Sequence, residues 1–211
     1  MGILDSGPLG PFRKKMGPGI GRRHMGQDLI LPLYHKTTRK ATPGQLSERD
    51  KFSMLNKFLV LMQTAINPGF KEYAKKQSAV NAAASYNYDH AFIEADGQTE
   101  LNYPKLVFSR GQISAPNGLR AMPGINFINF SWQPQPQSLY CQNTDKASFL
   151  IYHPRKNTAI IRPNVVDRYE LGFTLEVPFS GEAVHCYIIF ASADGKLVGD
   201  SKYAGMVTLQ F

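Results

Sequence analysis

From Tyr103 onward the apolar residues fall into seven short runs: KLVFSRGQI, GINFINFSW, ASFLIYH, TAIIR, RYELGFTLEV, AVHCYIIFAS and KYAGMVTLQF. Each is rich in β-branched and aromatic residues. Turn sequences separate them, among them APNG, QPQPQ, PRKN, PFSG and ADGK, whose glycines and prolines supply backbone angles that strands do not use. Seven strands so spaced predict an antiparallel β-sandwich, because a lone sheet would leave its apolar face wet. In the second run Ile128, Phe130 and Trp132 alternate with Phe127, Asn129 and Ser131, so one face is buried and the other solvated. Trp132 is expected in the sandwich core.

The stretch INFINFSWQPQP resembles the second strand of a fibronectin type III module, where an inward Trp precedes a proline-containing turn. GEAVHCYIIFASADGKLVGDS is similar to that module's penultimate strand and the hairpin loop after it. The resemblance covers residues 103–211 and implies a fibronectin III- or Ig-like sandwich. It departs from the pattern at the expected tyrosine corner, where Val184 or His185 falls.

Upstream the period changes to that of helices. Thr42 is placed as an N-cap, Pro43 at the first helical position and Gln45 as the capping-box partner. Phe52, Leu55, Leu59, Met62 and Ile66 then recur at spacings of three and four, one apolar stripe that runs until the NPG at Asn67–Gly69. A second helical piece carries Phe70, Tyr73, Gln77, Val80 and Ala84 on one face and ends in NAAASYNY. The two pieces are expected to pack as a helical hairpin, with Phe52, Phe58, Phe70 and Tyr73 in their seam rather than in a ligand pocket. The chain as a whole therefore reads as α+β. A basic Gly-rich arm and short extended segment occupy residues 1–40, a helical region 41–100, and a seven-stranded antiparallel β-sandwich 101–211.

The arm holds the charge. Of a net +8, residues 1–40 contribute +6, with eight Lys/Arg against two acids; residues 41–76 contribute +3 and residues 77–211 contribute −1. GPFRKKMGPGIGRRHMG is expected to run extended, and DLILPLYH after it to form an edge or isolated strand, since Pro32 lacks a donor. Glycine and proline at this density let a chain lie along another surface without side-chain obstruction, while the cations meet acidic groups there. The partner-binding residues are expected to be Arg13, Lys14, Lys15, Gly17, Gly19, Gly21, Arg22 and Arg23. With Arg39 and Lys40 the same cations would also neutralise phosphates without reading sequence, but only Phe12 and Tyr34 offer rings for stacking bases.

Signatures of chemistry are sparse. GRRHMGQD has the glycine spacing of a phosphate loop but neither its Lys-Ser/Thr nor a preceding strand. His24, His35, His90, His153 and His185 form no metal-binding pair, and His185 and Cys186, as strand neighbours, point to opposite faces. Cys186 is expected in the core. Glu94, Asp96 and Glu100 cluster without the ligand spacing of a calcium loop, and Asp194-Gly195 marks a turn. No catalytic residue, cofactor or metal is expected. Two cysteines, Cys141 and Cys186, fit free thiols in a reducing compartment. No run of 18 apolar residues exists, and the charges of MGILDSGPLGPFRKK follow its apolar patch, the reverse of a secretory signal. A cytoplasmic location or an assembled particle is expected.

Over nearly its full length the chain also resembles an uncharacterised protein family of Bacteroidota, through GPLGPFRKKMGPGIGRRHMGQDLI, TPGQLSERDKFSMLNKFL, NPGFKEYAK, NAAASYNY and VHCYIIFASADGKLVGDSKYAGMV. The resemblance implies a bacterial source and assigns no chemistry. A bacterial source argues against the myristoylation pattern MGILDS, with Gly2 and Ser6 at the required positions. The expectation is a non-enzymatic, oligomeric assembly protein that docks through its arm on another subunit or partner. Two alternatives stand beside it. One is a phage- or mobile-element-derived virion component contacting nucleic acid. The other is a surface- or carbohydrate-binding module presenting the QPQPQSLYCQNTD loop around Tyr140.

Overall fold

A computed structural model describes residues 2–3, 13–24, 26–34, 40–95, 97–179 and 181–209. Ser6, Phe12, His35, Arg39 and Asp96, weighed above, lie outside them. The chain divides into two compact units, Met1–Leu46 and Ser47–Phe211.

In the first unit, strands β1 (Gly2–Ile3), β2 (Lys14–Met16), β3 (Gly19–His24) and β4 (Gln27–Pro32) pair antiparallel in the order β1-β4-β3-β2. The segment expected to be an extended arm is thus a small sheet. Its glycines explain the difference: Gly17, at φ 56°, turns β2 into β3, and Gly26, at φ 83°, turns β3 into β4. Both are left-handed positions that suit a residue without Cβ. Nor is the Pro32 strand at an edge, since β4 pairs with β1 on one side and β3 on the other. Pro32 sits at its last position, opposite Gly19.

Helix α1 (Pro43–Leu61) starts as its sequence requires. The Thr42 amide donates to Gln45 Oε1 at 3.2 Å, and the Gln45 amide donates to Thr42 Oγ1 at 3.3 Å. The helix breaks at Met62, and α2 (Gln63–Gly69) follows. The second helical piece is not continuous: a 3-10 turn at Lys71–Tyr73 precedes α3 (Ala79–Asn87), capped by Ser78, whose Oγ accepts from the Asn81 amide at 3.1 Å. Leu55, Phe58, Leu59, Met62, Ile66 and Phe70 are buried, whereas Phe52 is 56% exposed and Tyr73 41%. The expected aromatic seam therefore keeps Phe58 and Phe70 and loses the other two. A hairpin of β5 (Phe92–Ala95) and β6 (Gln98–Leu101) comes next.

Seven further strands complete the second unit: β7 (Asn117–Pro123), β8 (Phe127–Gln133), β9 (Lys146–His153), β10 (Thr158–Asp167), β11 (Gly172–Glu176), β12 (Ala183–Ala191) and β13 (Lys202–Thr208). They form two antiparallel sheets, β11-β8-β7 and β10-β9-β12-β13. The run Lys105–Ile113 is not the first of them; Asn117–Pro123, partly read as a turn, takes that place. Residues 106–113 instead run against 197–201 through close backbone approach. A Cβ on Gly111 would stand 2.1 Å from the Val198 carbonyl oxygen, and one on Gly199 2.4 Å from that of Ile113.

Alternate residues of the four-stranded sheet serve two cores. Ala147, Phe149 and Ile151 of β9 and Val184, Cys186, Ile188 and Phe190 of β12 pack with Ile128, Phe130 and Trp132 of β8 between the sheets. Leu150, Tyr152, Tyr187 and Ile189 pack on the other side with Leu55, Phe58, Leu59, Met62 and Phe70 of the helical segment. Both faces of β9 and β12 are covered, so their sequences are apolar runs rather than alternations. For the same reason the helices and the strands form one compact unit, with no boundary at residue 100.

Candidate functional site

The second unit contains an open cavity of about 700 Å³. One wall is α1, with Asp50, Ser53, Met54, Lys57 and Phe58; a second is Thr99, Glu100 and Leu101 of β6 with Tyr103 just beyond it. The floor is the helix-facing side of the four-stranded sheet, with Tyr152, His185 and, in the turn after β9, Pro154 and Asn157. Register places the floor residues together, since His185 of β12 lies directly opposite Tyr152 of β9.

The floor is a network of rings with fixed polar ends. Tyr103 stacks on the His185 imidazole, centroids 4.1 Å apart and planes 23° apart. Phe58 meets Tyr152 edge-on at 4.6 Å. His185 Nδ1 is 2.8 Å from the Tyr203 hydroxyl, and the Tyr152 hydroxyl donates to Asn157 Oδ1 at 3.0 Å. Burial pushes the His185 pKa down to about 4, so the ring is neutral at physiological pH. Burial, then the neighbouring Tyr152, raises the Tyr103 hydroxyl well above its ordinary range, and burial raises Tyr152 as well. None of these groups is activated as a nucleophile or base near pH 7.

The expected partner-binding cations sit on the N-terminal sheet. The pairs Lys14–Gly21 and Arg23–Asp28 put Lys14 and Arg23 on one face, and Lys15–Ile20 and Arg22–Leu29 put Lys15 and Arg22 on the other. All four, with Arg13, are exposed. Every residue of β2 is exposed, and β2 ends the strand order. Of the arm glycines, Gly17 serves the turn, Gly21 is buried within the sheet, and Gly19 is partly covered, with Ile30 Cγ2 3.4 Å from where its Cβ would stand.

The remaining candidates are structural. Glu94 pairs with Thr99 and Glu100 with Ile93, so the two carboxylates face opposite sides of the β5–β6 hairpin and share no cation. Among the described residues no group of three His, Cys, Asp or Glu side chains could hold a metal. Buried His153 accepts the Lys156 amide at Nδ1, 3.1 Å, which leaves the proton on Nε2, 2.5 Å from Glu182 Oε2. Cys141 and Cys186 are buried free thiols, and burial pushes Cys186 up to about 12. The loop around Tyr140 is pinned: the Ser114 amide donates to the Tyr140 carbonyl at 2.7 Å, and Ser138 and Cys141 exchange backbone bonds.

Two features had no signal in the sequence. The cavity draws on four separated segments. Arg168, 4% exposed, donates from Nε to Asp145 Oδ2 at 3.1 Å, from Nη1 to Gln135 Oε1 at 3.0 Å and from Nη2 to the Ser114 carbonyl at 2.7 Å. Its guanidinium lies 3.9 Å from the Phe190 ring centroid, and its carbonyl accepts the Trp132 indole N–H at 2.9 Å.

Among the described residues no helix is long and apolar enough to cross a membrane. Residues 11–205 match the family of unknown function DUF6266. No curated protein matches the chain.

Proposed function

We propose that this chain, which belongs to the DUF6266 family, is a non-enzymatic assembly protein whose basic N-terminal sheet docks on a carboxylate-bearing surface of another protein subunit. The observation that carries this reading is the concentration of charge in the first unit, whose small sheet carries Arg13, Lys14, Lys15, Arg22 and Arg23 on or beside its strands. The first unit holds eight Lys/Arg against two acids, net +6, and the second sixteen against fourteen, net +2. In the second unit the cations are nearly balanced by acids. Among the described residues no strand pairs with the outer edge of β2, and such an edge accepts another strand by β-augmentation. Leu29 is buried, but Ile20, Ile30 and Leu31 are only partly so, and a sheet this small gains stability by covering such residues.

The strand order β7-β8-β11 over β10-β9-β12-β13 supports reading the sandwich as fibronectin III-like, with Trp132 on its second strand. Two buried free thiols fit a cytoplasmic site or an assembled particle.

The test uses the full chain and two variants. In one, Arg13, Lys14, Lys15, Arg22 and Arg23 become Gln. The other is Lys15→Pro: Lys15 faces Ile20 one position from the pair Met16–Gly19 that closes the hairpin, and pairs alternate between bonded and non-bonded in an antiparallel ladder, so proline there removes an outward donor from the edge and keeps the closing pair. Sedimentation velocity at low and high salt, with and without added DNA, reads the association state. Both variants should assemble less than the parent, and the charge variant's defect should shrink at high salt. Unchanged assembly in both sinks the docking reading. A charge variant that loses only DNA retention transfers the role to nucleic acid.

A further inference from the structure

We propose that the cavity between α1, β6 and the four-stranded sheet binds a neutral, hydroxyl-rich ligand, a saccharide of one to three units. The inference does not rest on the docking role of the N-terminal sheet. The cavity's volume of about 700 Å³ lies in the range of small-molecule sites. Its lining is what selects the class.

Three kinds of ligand fit poorly. An anion would face Asp50 and Glu100 with Lys57 as the one lining cation among the described residues, and His185, held neutral by burial, adds no charge. A lipid or other fully apolar ligand would strip water from three charged side chains and from Ser53, Thr99 and Asn157 without replacing their hydrogen bonds. A cationic amine would find the carboxylates but also the Lys57 ammonium on the same wall. A saccharide uses everything present. The C–H faces of its rings pack on Tyr103, Tyr152 and Phe58. Its hydroxyls donate to Asp50 and Glu100 and accept from Lys57, Ser53 and Thr99.

The floor is also pre-organised. His185 is held by the Tyr203 hydroxyl on one side and the Tyr103 ring on the other, and Tyr152 is tied to Asn157. Such fixed rings lose little freedom when a ligand arrives, which favours measurable affinity from few contacts.

Titration calorimetry on the full chain tests this with neutral trisaccharides of glucose, galactose, mannose, xylose and N-acetylglucosamine, each up to ~10 mM. Glucose 6-phosphate and a diamine serve as charged probes. At least one neutral saccharide should bind saturably, with little dependence on salt. Ser53→Trp, which fills the cavity from α1, should weaken binding at least tenfold. Asp50→Ala and Glu100→Ala, exposed positions whose truncation leaves the fold intact, should each weaken it about three- to tenfold. Three results overturn the proposal: no saturable binding by any neutral saccharide, binding by a charged probe alone, or saccharide binding that Asp50→Ala, Glu100→Ala and a folded Ser53→Trp all leave intact.

Discussion

Replacing Arg168 with methionine should destabilise the second unit by about 3–5 kcal/mol, the cost of leaving a buried charge without its partner. The stranded group is Asp145, whose side chain is 2% exposed and faces Arg168 Nε at 3.1 Å. One contact remains to it, the Gln142 amide at 2.9 Å, too little to hold a desolvated carboxylate. The Gln135 and Ser114 oxygens lose their donors as well. Methionine keeps apolar contact with Phe190, so the loss is electrostatic rather than a cavity. Urea unfolding followed by fluorescence provides the assay. Trp132 is the single tryptophan, and its indole bonds the Arg168 carbonyl, which the substitution retains. Lysine at 168 should recover less than half of the loss, since one ammonium cannot reach three acceptors in different directions. Combining Arg168→Met with Asp145→Asn should cost less than the two changes separately, by at least about 1 kcal/mol. A loss below about 1 kcal/mol for Arg168→Met, or additivity of the pair, would refute the reading that Arg168 holds Asp145, Gln135 and Ser114 together.

Gly69→Ala should cost about 2 kcal/mol or more by chemical denaturation, because its Cβ would stand 2.4 Å from the Phe108 carbonyl oxygen; a change within about 0.5 kcal/mol would contradict that packing. His185 has a folded pKa near 4 against 6.5 for the free ring, so the unfolded chain binds more protons between these values. Stability should therefore fall as pH drops from about 6.5 toward 4, by on the order of 2 kcal/mol, and His185→Phe should flatten that part of the profile. Thiol titration should count two cysteines per chain after unfolding without reductant and almost none in the native state, where both are buried; a count of zero after unfolding would mean a disulfide. The fragment 101–211 should fail to unfold cooperatively alone, because it exposes Leu150, Tyr152, Tyr187 and Ile189; a sharp transition would show that the helices are dispensable.

What could be read from the sequence was what local chemistry decides. Thr42 and Gln45 cap a helix through bonds three residues apart, and Ile128, Phe130 and Trp132 alternate on one strand whose burial follows that alternation. The Lys105–Ile113 run misleads for a physical reason. Leu106, Phe108 and Ile113 are buried, and periodicity reports burial rather than the ladder bonds that make a strand. Only the isolated bridge Ile113–Gly199 forms there, since the segment is held by backbone packing against Val198 and Gly199. Phe52 matched a helical stripe by spacing, yet what covers a helix face is decided by distant segments. The N-terminal sheet was hidden because glycine and proline weaken strand propensity even where, as at Gly17, they build the turn that makes pairing possible. Arg168 and the cavity carry no local signal, because each joins residues from segments far apart in sequence.

The cavity and the helical layer are two ends of one gradient along β12. Its helix-facing residues run His185, Tyr187, Ile189 and Ala191, opposite Tyr152, Leu150, Ser148 and Lys146 of β9. At the Tyr187–Leu150 and Ile189–Ser148 levels the face is buried and its polar tips are satisfied: the Tyr187 hydroxyl donates to the Tyr103 carbonyl at 2.9 Å, Ser148 Oγ accepts the Asn164 amide at 2.9 Å, and Phe108 closes on Tyr187 at 4.8 Å, edge to face. At the His185–Tyr152 level each ring carries a polar atom, and there the lining opens to Asp50, Lys57 and Glu100. A strand whose covered face was aliphatic throughout would seal this end, because tight packing would then be the lowest-energy arrangement. Aromatic residues with polar tips satisfy the core on one side and leave hydrogen-bonding groups toward water on the other. The step from Ile189 and Tyr187 to His185 on this face of β12 thus coincides with the place where the helical cover ends and the cavity opens.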